Sequence, residues 1–311
     1  MSTPPDRPRR RRPQRARPPQ SSPPRRRAPS PPPEAPGPDV DPVALRRRSE
    51  TLNRFLWALP WAAFAITIIV AGGGVFAGAI FVIAAVCITE LFGMARVARP
   101  YPAVAMLATA GLIAAAYFGD QYQMVLALVA TFPVLFVFIV LRGRVTGATG
   151  AAAVTVLGIV WIGLAFAHAV LLRELPEHGQ ALLIDVLIAT IVADTAAYAG
   201  GRAFGRHCLA EAISPSKTVE GLLFGIAGGT AAFWFAGLYQ DWLPGADALA
   251  IGAAIALVAP IGDLFESTVK RDLGVKDSGT AVGPHGGLLD RLDAVLFTIT
   301  AGYYLSVAFV Y

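Results

Sequence analysis

From residue 55 onward the chain alternates between long apolar runs and short polar breaks. Nine runs stand out, near 55–71, 75–95, 102–119, 122–141, 151–172, 181–200, 218–239, 246–263 and 290–310. Each is close to the ~20 residues that an α-helix needs to cross the hydrocarbon core of a bilayer. They lack the polar stripe at helical spacing that a soluble helical bundle carries. The two-residue alternation of a transmembrane β-barrel is absent too. The pattern therefore predicts an all-α, polytopic integral membrane protein with about nine transmembrane helices. The first two runs are divided only by Ala71-Gly72-Gly73-Gly74, a break with almost no loop.

Composition agrees, with 55% hydrophobic and only 15% charged residues. The placement of the charges adds an orientation. Thirteen Lys and Arg residues follow residue 50. With a cytoplasmic N-terminus, twelve of them fall in inner loops or at inner helix ends, and only Arg173 falls outside. By the positive-inside rule this predicts N-in, C-out topology with an odd number of spans.

Residues 1–50 are a different kind of polymer. They hold 13 Arg against 5 acidic residues, and 15 of the 24 prolines. Rich in charge and proline and poor in core-forming residues, they are predicted to be a disordered cytoplasmic tail. A topogenic role explains their charge, and attraction to anionic headgroups is the alternative. No short apolar region with a cleavage site follows the arginines, so the tail does not read as a signal peptide. Two membrane regions follow, N-terminal helices over 51–180 and a catalytic region over 181–311.

Candidate chemistry gathers in the second region. Residues 267–293 pack Lys270, Arg271, Lys276 and Arg291 together with Asp272, Asp277, Asp290 and Asp293, and set Pro284-His285-Gly286-Gly287 among them. Charges of both signs at the edge of hydrocarbon are costly, and a polyanionic substrate held by cations is a common reason for them. Asp194, Asp263, Asp290 and Asp293 come from three runs yet sit at one depth. Such hard oxygen donors suit Mg²⁺, whereas simple pairing with neighbouring Lys or Arg is the plainer reading. A second constellation runs through Asp194, Tyr198, Gly201-Arg202 and Ser214-Pro215-Ser216-Lys217-Thr218-Val219-Glu220-Gly221. There glycines would admit a phosphate to the backbone, Lys217 would supply charge, and Ser214 or Ser216 could cap the following helix. Cys87 and Cys208 form no disulfide framework. His168, His178 and His207 read as structural or solvated.

In that order, Ser267, Lys270-Arg271, Lys276-Asp277, His285-Gly286-Gly287 and Asp290-Arg291-Leu292-Asp293 closely resemble the signature of the phosphatidate cytidylyltransferases, or CDP-diacylglycerol synthases. Gly262-Asp263 and the upstream constellation resemble that family as well. The likeness covers roughly 180–310, and the one visible departure is Val282-Gly283-Pro284 where the family commonly has Leu-Pro-Gly.

The resemblance implies CMP transfer from CTP to phosphatidic acid at the cytoplasmic face of the cell membrane, giving CDP-diacylglycerol and pyrophosphate for phospholipid synthesis. It implies Mg²⁺ and a second cation, with Asp263 and Asp290 as first candidate ligands and Asp293, Asp194 and Glu266 behind them. Lys270, Arg271, Lys276 and Arg291 would hold phosphates in the catalytic group, with Asp277 and His285 beside them. Lys217, Arg202, Ser214, Ser216, Ser267, Gly286 and Gly287 would bind substrate. The expected partners are CTP, phosphatidic acid and the lipid bilayer, with a homodimer left open and no nucleic acid. A CTP-dependent polyprenol kinase and a transporter are the rivals. The one-sided carboxylates and lack of a repeat disfavour the transporter.

Overall fold

The computed structural model of the chain describes Pro60 and residues 62–143, 145–279 and 286–311. The tail over 1–50 and His285 lie outside the described residues. Described helices are α1 (Ala62–Ala71), α2 (Gly73–Met94), α3 (Pro102–Phe118), α4 (Gln121–Arg142), α5 (Ala148–Arg173), α6 (Gly179–Phe204), α7 (Val219–Gly237), α8 (Gly245–Asp272) and α9 (Leu289–Phe309). Seven of them, α2 and α4 to α9, are long and apolar enough to cross a membrane, and α1 and α3 are shorter apolar helices. The protein is an all-α, multi-pass membrane protein.

Where the sequence leaves almost no loop, the structure makes a sharp joint. Gly72 and Gly73 adopt φ of 60° and 53°, a left-handed geometry that glycine takes without a steric penalty. The freed backbone groups are claimed from the end of α5. Arg173 Nε donates to the Ile69 carbonyl at 2.7 Å, and Glu174 Oε1 accepts from Gly73 N at 3.1 Å. The basic residue predicted for the outer side thus closes the α1–α2 corner.

Helix α5 is the most enclosed of the spanning helices, as expected of a segment apolar on all sides. It carries a π-helical turn over Ile159–Gly163. Trp161 within that turn meets the Phe265 ring of α8 edge-on at 4.9 Å, so the two halves of the chain share a core.

Packing among α6 to α9 runs on small residues. Gly221, Gly225 and Gly229 repeat every fourth position and are buried on one stripe of α7. They lie against Ala193 and Ala197 of α6. A methyl group on Gly225 would stand 3.0 Å from both the Ala193 carbonyl and the Ala197 Cβ. Without a hydrophobic driving force in lipid, such close backbone approach is what holds membrane helices together. Gly262 of α8 plays the same part against α9, where an added Cβ would meet the Ala294 Cα at 2.9 Å.

Two local features differ from the sequence expectation. Residues 208–218 form an antiparallel hairpin, β1 (Cys208–Ala210) and β2 (Ser214–Thr218), so Ser214 and Ser216 lie in a strand. The cap of α7 is Thr218, whose Oγ1 accepts from Gly221 N at 3.1 Å. Helix α8 also continues past residue 263 to Asp272, because its polar end is made of residues four apart. Ser267 Oγ lies 3.5 Å from Asp263 Oδ1, and Lys270 pairs with Glu266. The helix stops in a Schellman motif. Gly274 at φ 70° donates to Arg271 O, and Val275 donates to Lys270 O.

Candidate active site

One end of the α6–α9 group holds a cavity of about 630 Å³. Its walls are the C-terminal part of α6, strand β2, the start of α7, the C-terminal half of α8 and the start of α9. Pro260 lies in the wall within α8, where it cannot donate to the carbonyl four residues back. Small wall residues leave the space open, among them Ala193, Ala197, Gly201, Gly221 and Gly225.

Four cations line the cavity, Arg202, Lys217, Lys270 and Arg291. Five carboxylates face them, Asp194, Asp263, Glu266, Asp290 and Asp293. Lys270 is shared, with its Nζ 2.6 Å from Glu266 Oε2 and 2.7 Å from Asp290 Oδ1. Glu266 is fully buried, and although Lys270 is near, neither of its oxygens has a well-aligned hydrogen bond. Asp290 is better supplied. Ser278 N donates to its Oδ2 at 2.9 Å, and so does Gly287 N. Lys217 forms an ion pair with Asp263 and bridges the hairpin to α8.

Asp194, Asp263 and Asp293 reach the cavity from α6, α8 and α9, close enough to feel one another's charge. Among the described residues, no three His, Cys, Asp or Glu side chains stand ready to grip one ion. The donor chemistry nonetheless fits a hard divalent cation. Carboxylates interleave with the four cations along the wall, so a polyphosphate would meet hard oxygen donors there that an added cation could bridge to it.

The structure thus gathers ten of the sequence-predicted residues around one space. The other described ones lie around it. Ser267 supports Asp263, and Arg271 Nε reaches the Ile213 carbonyl of the hairpin turn at 3.4 Å. Lys276 and Asp277 are exposed on the turn after α8, outside the cavity lining, as Ser214 is. Gly286, at φ 91°, and Gly287 back the Asp290 carboxylate instead of lining the space.

Sequence reasoning passed over Glu90. This buried carboxylate on α2 accepts from Leu288 N at 3.0 Å and Leu289 N at 2.8 Å, where α9 begins. The signal was present, since Glu90 is the one charged residue in its apolar run, and an ionisable group inside a membrane helix calls for a partner.

Residues 52–309 match the Cytidylyltransferase family. The chain belongs to that family. It is 39% identical over 150 residues to the phosphatidate cytidylyltransferase of Mycobacterium bovis, covering 48% of each chain. With the phosphatidate cytidylyltransferase of Bacillus subtilis it shares 34% identity over 154 residues, 49% of this chain and 57% of the other. An uncharacterised Escherichia coli protein, YnbB, is 36% identical over 204 residues, 60% of this chain and 68% of the other. The chain spans about half the length of the first of these relatives.

Proposed function

We propose that this cytidylyltransferase-family protein transfers CMP from CTP to phosphatidic acid at the cytoplasmic face of the cell membrane. The observation that carries the reading is the cavity itself, where charges of both signs from three helices and a hairpin converge at one end of an apolar bundle. A soluble polyanion and a membrane lipid can meet there. The names of the Mycobacterium bovis and Bacillus subtilis relatives support the choice of reaction.

In this reading an ionised phosphatidate oxygen attacks the α-phosphorus of CTP. The new P–O bond forms as the bond to the bridging oxygen breaks, and the electron pair leaves with pyrophosphate. No strong general base is needed, so positioning and charge neutralisation do the work. Lys217 and Arg202 hold phosphates from the α6–hairpin side, and Lys270 and Arg291 from the α8–α9 side. Asp194, Asp263 and Asp293, with Glu266 and Asp290 next to them, would have to draw together to hold Mg²⁺, which would neutralise the triphosphate. The ion pair of Lys217 with Asp263 must open for Lys217 to reach a phosphate.

The topology belongs to the same proposal. Nine spans with N-in, C-out orientation put the hairpin, Lys217 and the α8–α9 turn in the cytoplasm. Cys208 is exposed on β1 while Cys87 is buried, so one thiol reports the face. A membrane-impermeant maleimide should label Cys208 in inverted vesicles and leave it unlabelled in intact cells. The reverse pattern would refute the orientation.

Activity is tested with purified, detergent-solubilised protein, α-labelled CTP, phosphatidic acid and Mg²⁺, with and without EDTA. The expected result is a labelled CDP-lipid that requires both phosphatidate and metal. Label transferred to lipid from γ-labelled CTP instead would establish a lipid kinase and overturn the proposal.

A further inference from the structure

Glu90 belongs to α2, far in sequence from every motif residue, and it does not line the cavity. Its side chain is packed into the interior with 9% exposure. A carboxylate there is costly unless its oxygens are filled, and they are filled by one short stretch of chain. Oε1 accepts from Leu288 N, and Oε2 accepts from Leu289 N and from Ser278 Oγ at 3.4 Å.

Those backbone donors are free N–H groups at the start of α9. The residue at the N-cap position is Leu288, which has no side-chain acceptor of its own. Glu90 therefore caps α9 from another helix, and its negative charge sits at the positive end of the α9 dipole. The neighbouring donors, Ser278 N and Gly287 N, go to Asp290. Two carboxylates thus share four backbone N–H groups, and one of the two also holds Lys270.

The approach is tight enough to select residues. An added Cβ on Gly287 would lie 2.7 Å from Glu90 Oε2, and one on Gly279 would lie 2.8 Å from Oε1. Glycine at 287 thus has a steric reason that phosphate contact does not supply.

We propose that Glu90 is a positioning residue for the reaction end of α9. It fixes the first turn of that helix, and through it the Asp290–Lys270 pair and the Arg291 and Asp293 side chains at the cavity wall. This assignment rests on the reading of the cavity as the CMP-transfer site. The N-terminal helices then serve the chemistry through α9, because α2 supplies the side-chain acceptor that the N-cap residue Leu288 lacks.

The test uses Glu90→Gln and Glu90→Ala in the full-length protein, with two readouts. In hydrogen–deuterium exchange, peptides covering Ser278 and Gly287–Leu292 should exchange at least tenfold faster in Glu90→Ala, while peptides from α7 stay unchanged. In CMP transfer, kcat should fall at least 30-fold in Glu90→Ala and less in Glu90→Gln, which keeps one acceptor, with KM for CTP within threefold of wild type. Unchanged exchange and unchanged kcat would overturn the assignment while leaving the proposed function intact. Faster exchange at α9 in a protein whose wild type transfers no CMP would sink the reaction and keep the cap. Should Glu90→Ala fail to fold, Glu90→Gln and Gly287→Ala decide, since an added Cβ at 287 crowds Ser278 Oγ and, at 2.7 Å, Glu90 Oε2, both members of the cap, without removing charge. Wild-type exchange and kcat in both would count against the proposal.

Discussion

Replacing Lys270 with Met is the sharpest probe of the α8–α9 charge cluster. The Nζ stands 2.6 Å from Glu266 and 2.7 Å from Asp290, and the three side chains are only 14%, 1% and 14% exposed. Met keeps most of the side-chain volume and removes the charge. Glu266 then has no cation at its buried oxygens, whereas Asp290 keeps the Ser278 and Gly287 N–H groups. Removing one partner of a buried pair costs about 3–5 kcal/mol, because the other charge is left uncompensated. Over a chain of this size that corresponds to a fall in Tm on the order of 10 °C. The assay is thermal unfolding of the purified protein in a fixed detergent. The double variant Lys270→Met with Glu266→Gln should recover more than half of the loss, since the uncharged amide has no such penalty. A wild-type Tm in Lys270→Met, or a double variant no better than the single one, would refute the reasoning. CMP transfer should be lost in both, because the phosphate contact has gone.

Lys217→Ala should raise KM for CTP at least tenfold while protein yield and elution stay normal, because its partner Asp263 is 37% exposed and can be rehydrated; steady-state kinetics at varied CTP decides. Gly229→Val should destabilise by about 1–3 kcal/mol through overpacking. An added Cβ there already meets Ala193 and Ala256 at 2.9 Å, and a thermal melt would show the loss. Asp120→Ala removes the capping box of α4, in which the carboxylate accepts from Tyr122 N at 2.7 Å and Gln123 N at 3.2 Å. It should cost about 1 kcal/mol with kcat unchanged, since this cap is remote from the cavity walls.

The apolar run lengths alone determined that this is a helical membrane protein, and the runs from residue 102 onward mark their helices to within a few residues, except that α8 continues nine residues past its run. The reason is that lipid demands a continuous stretch of low polarity, a property of composition along the chain. Spacing within one helix was legible too, so Asp290 and Asp293, three apart, both reach the cavity wall. What a single sequence could not supply was the meeting of separate helices. Lys217 finds Asp263 across the hairpin, and Glu90 finds the start of α9 almost two hundred residues later. Lys276 and Asp277 stay outside the cavity although they sit in the densest charge run. Only the tertiary structure decided these pairings. They depend on which helix faces are drawn together by close glycine packing at Gly221, Gly225, Gly229 and Gly262, and helical periodicity shows a face without naming its partner.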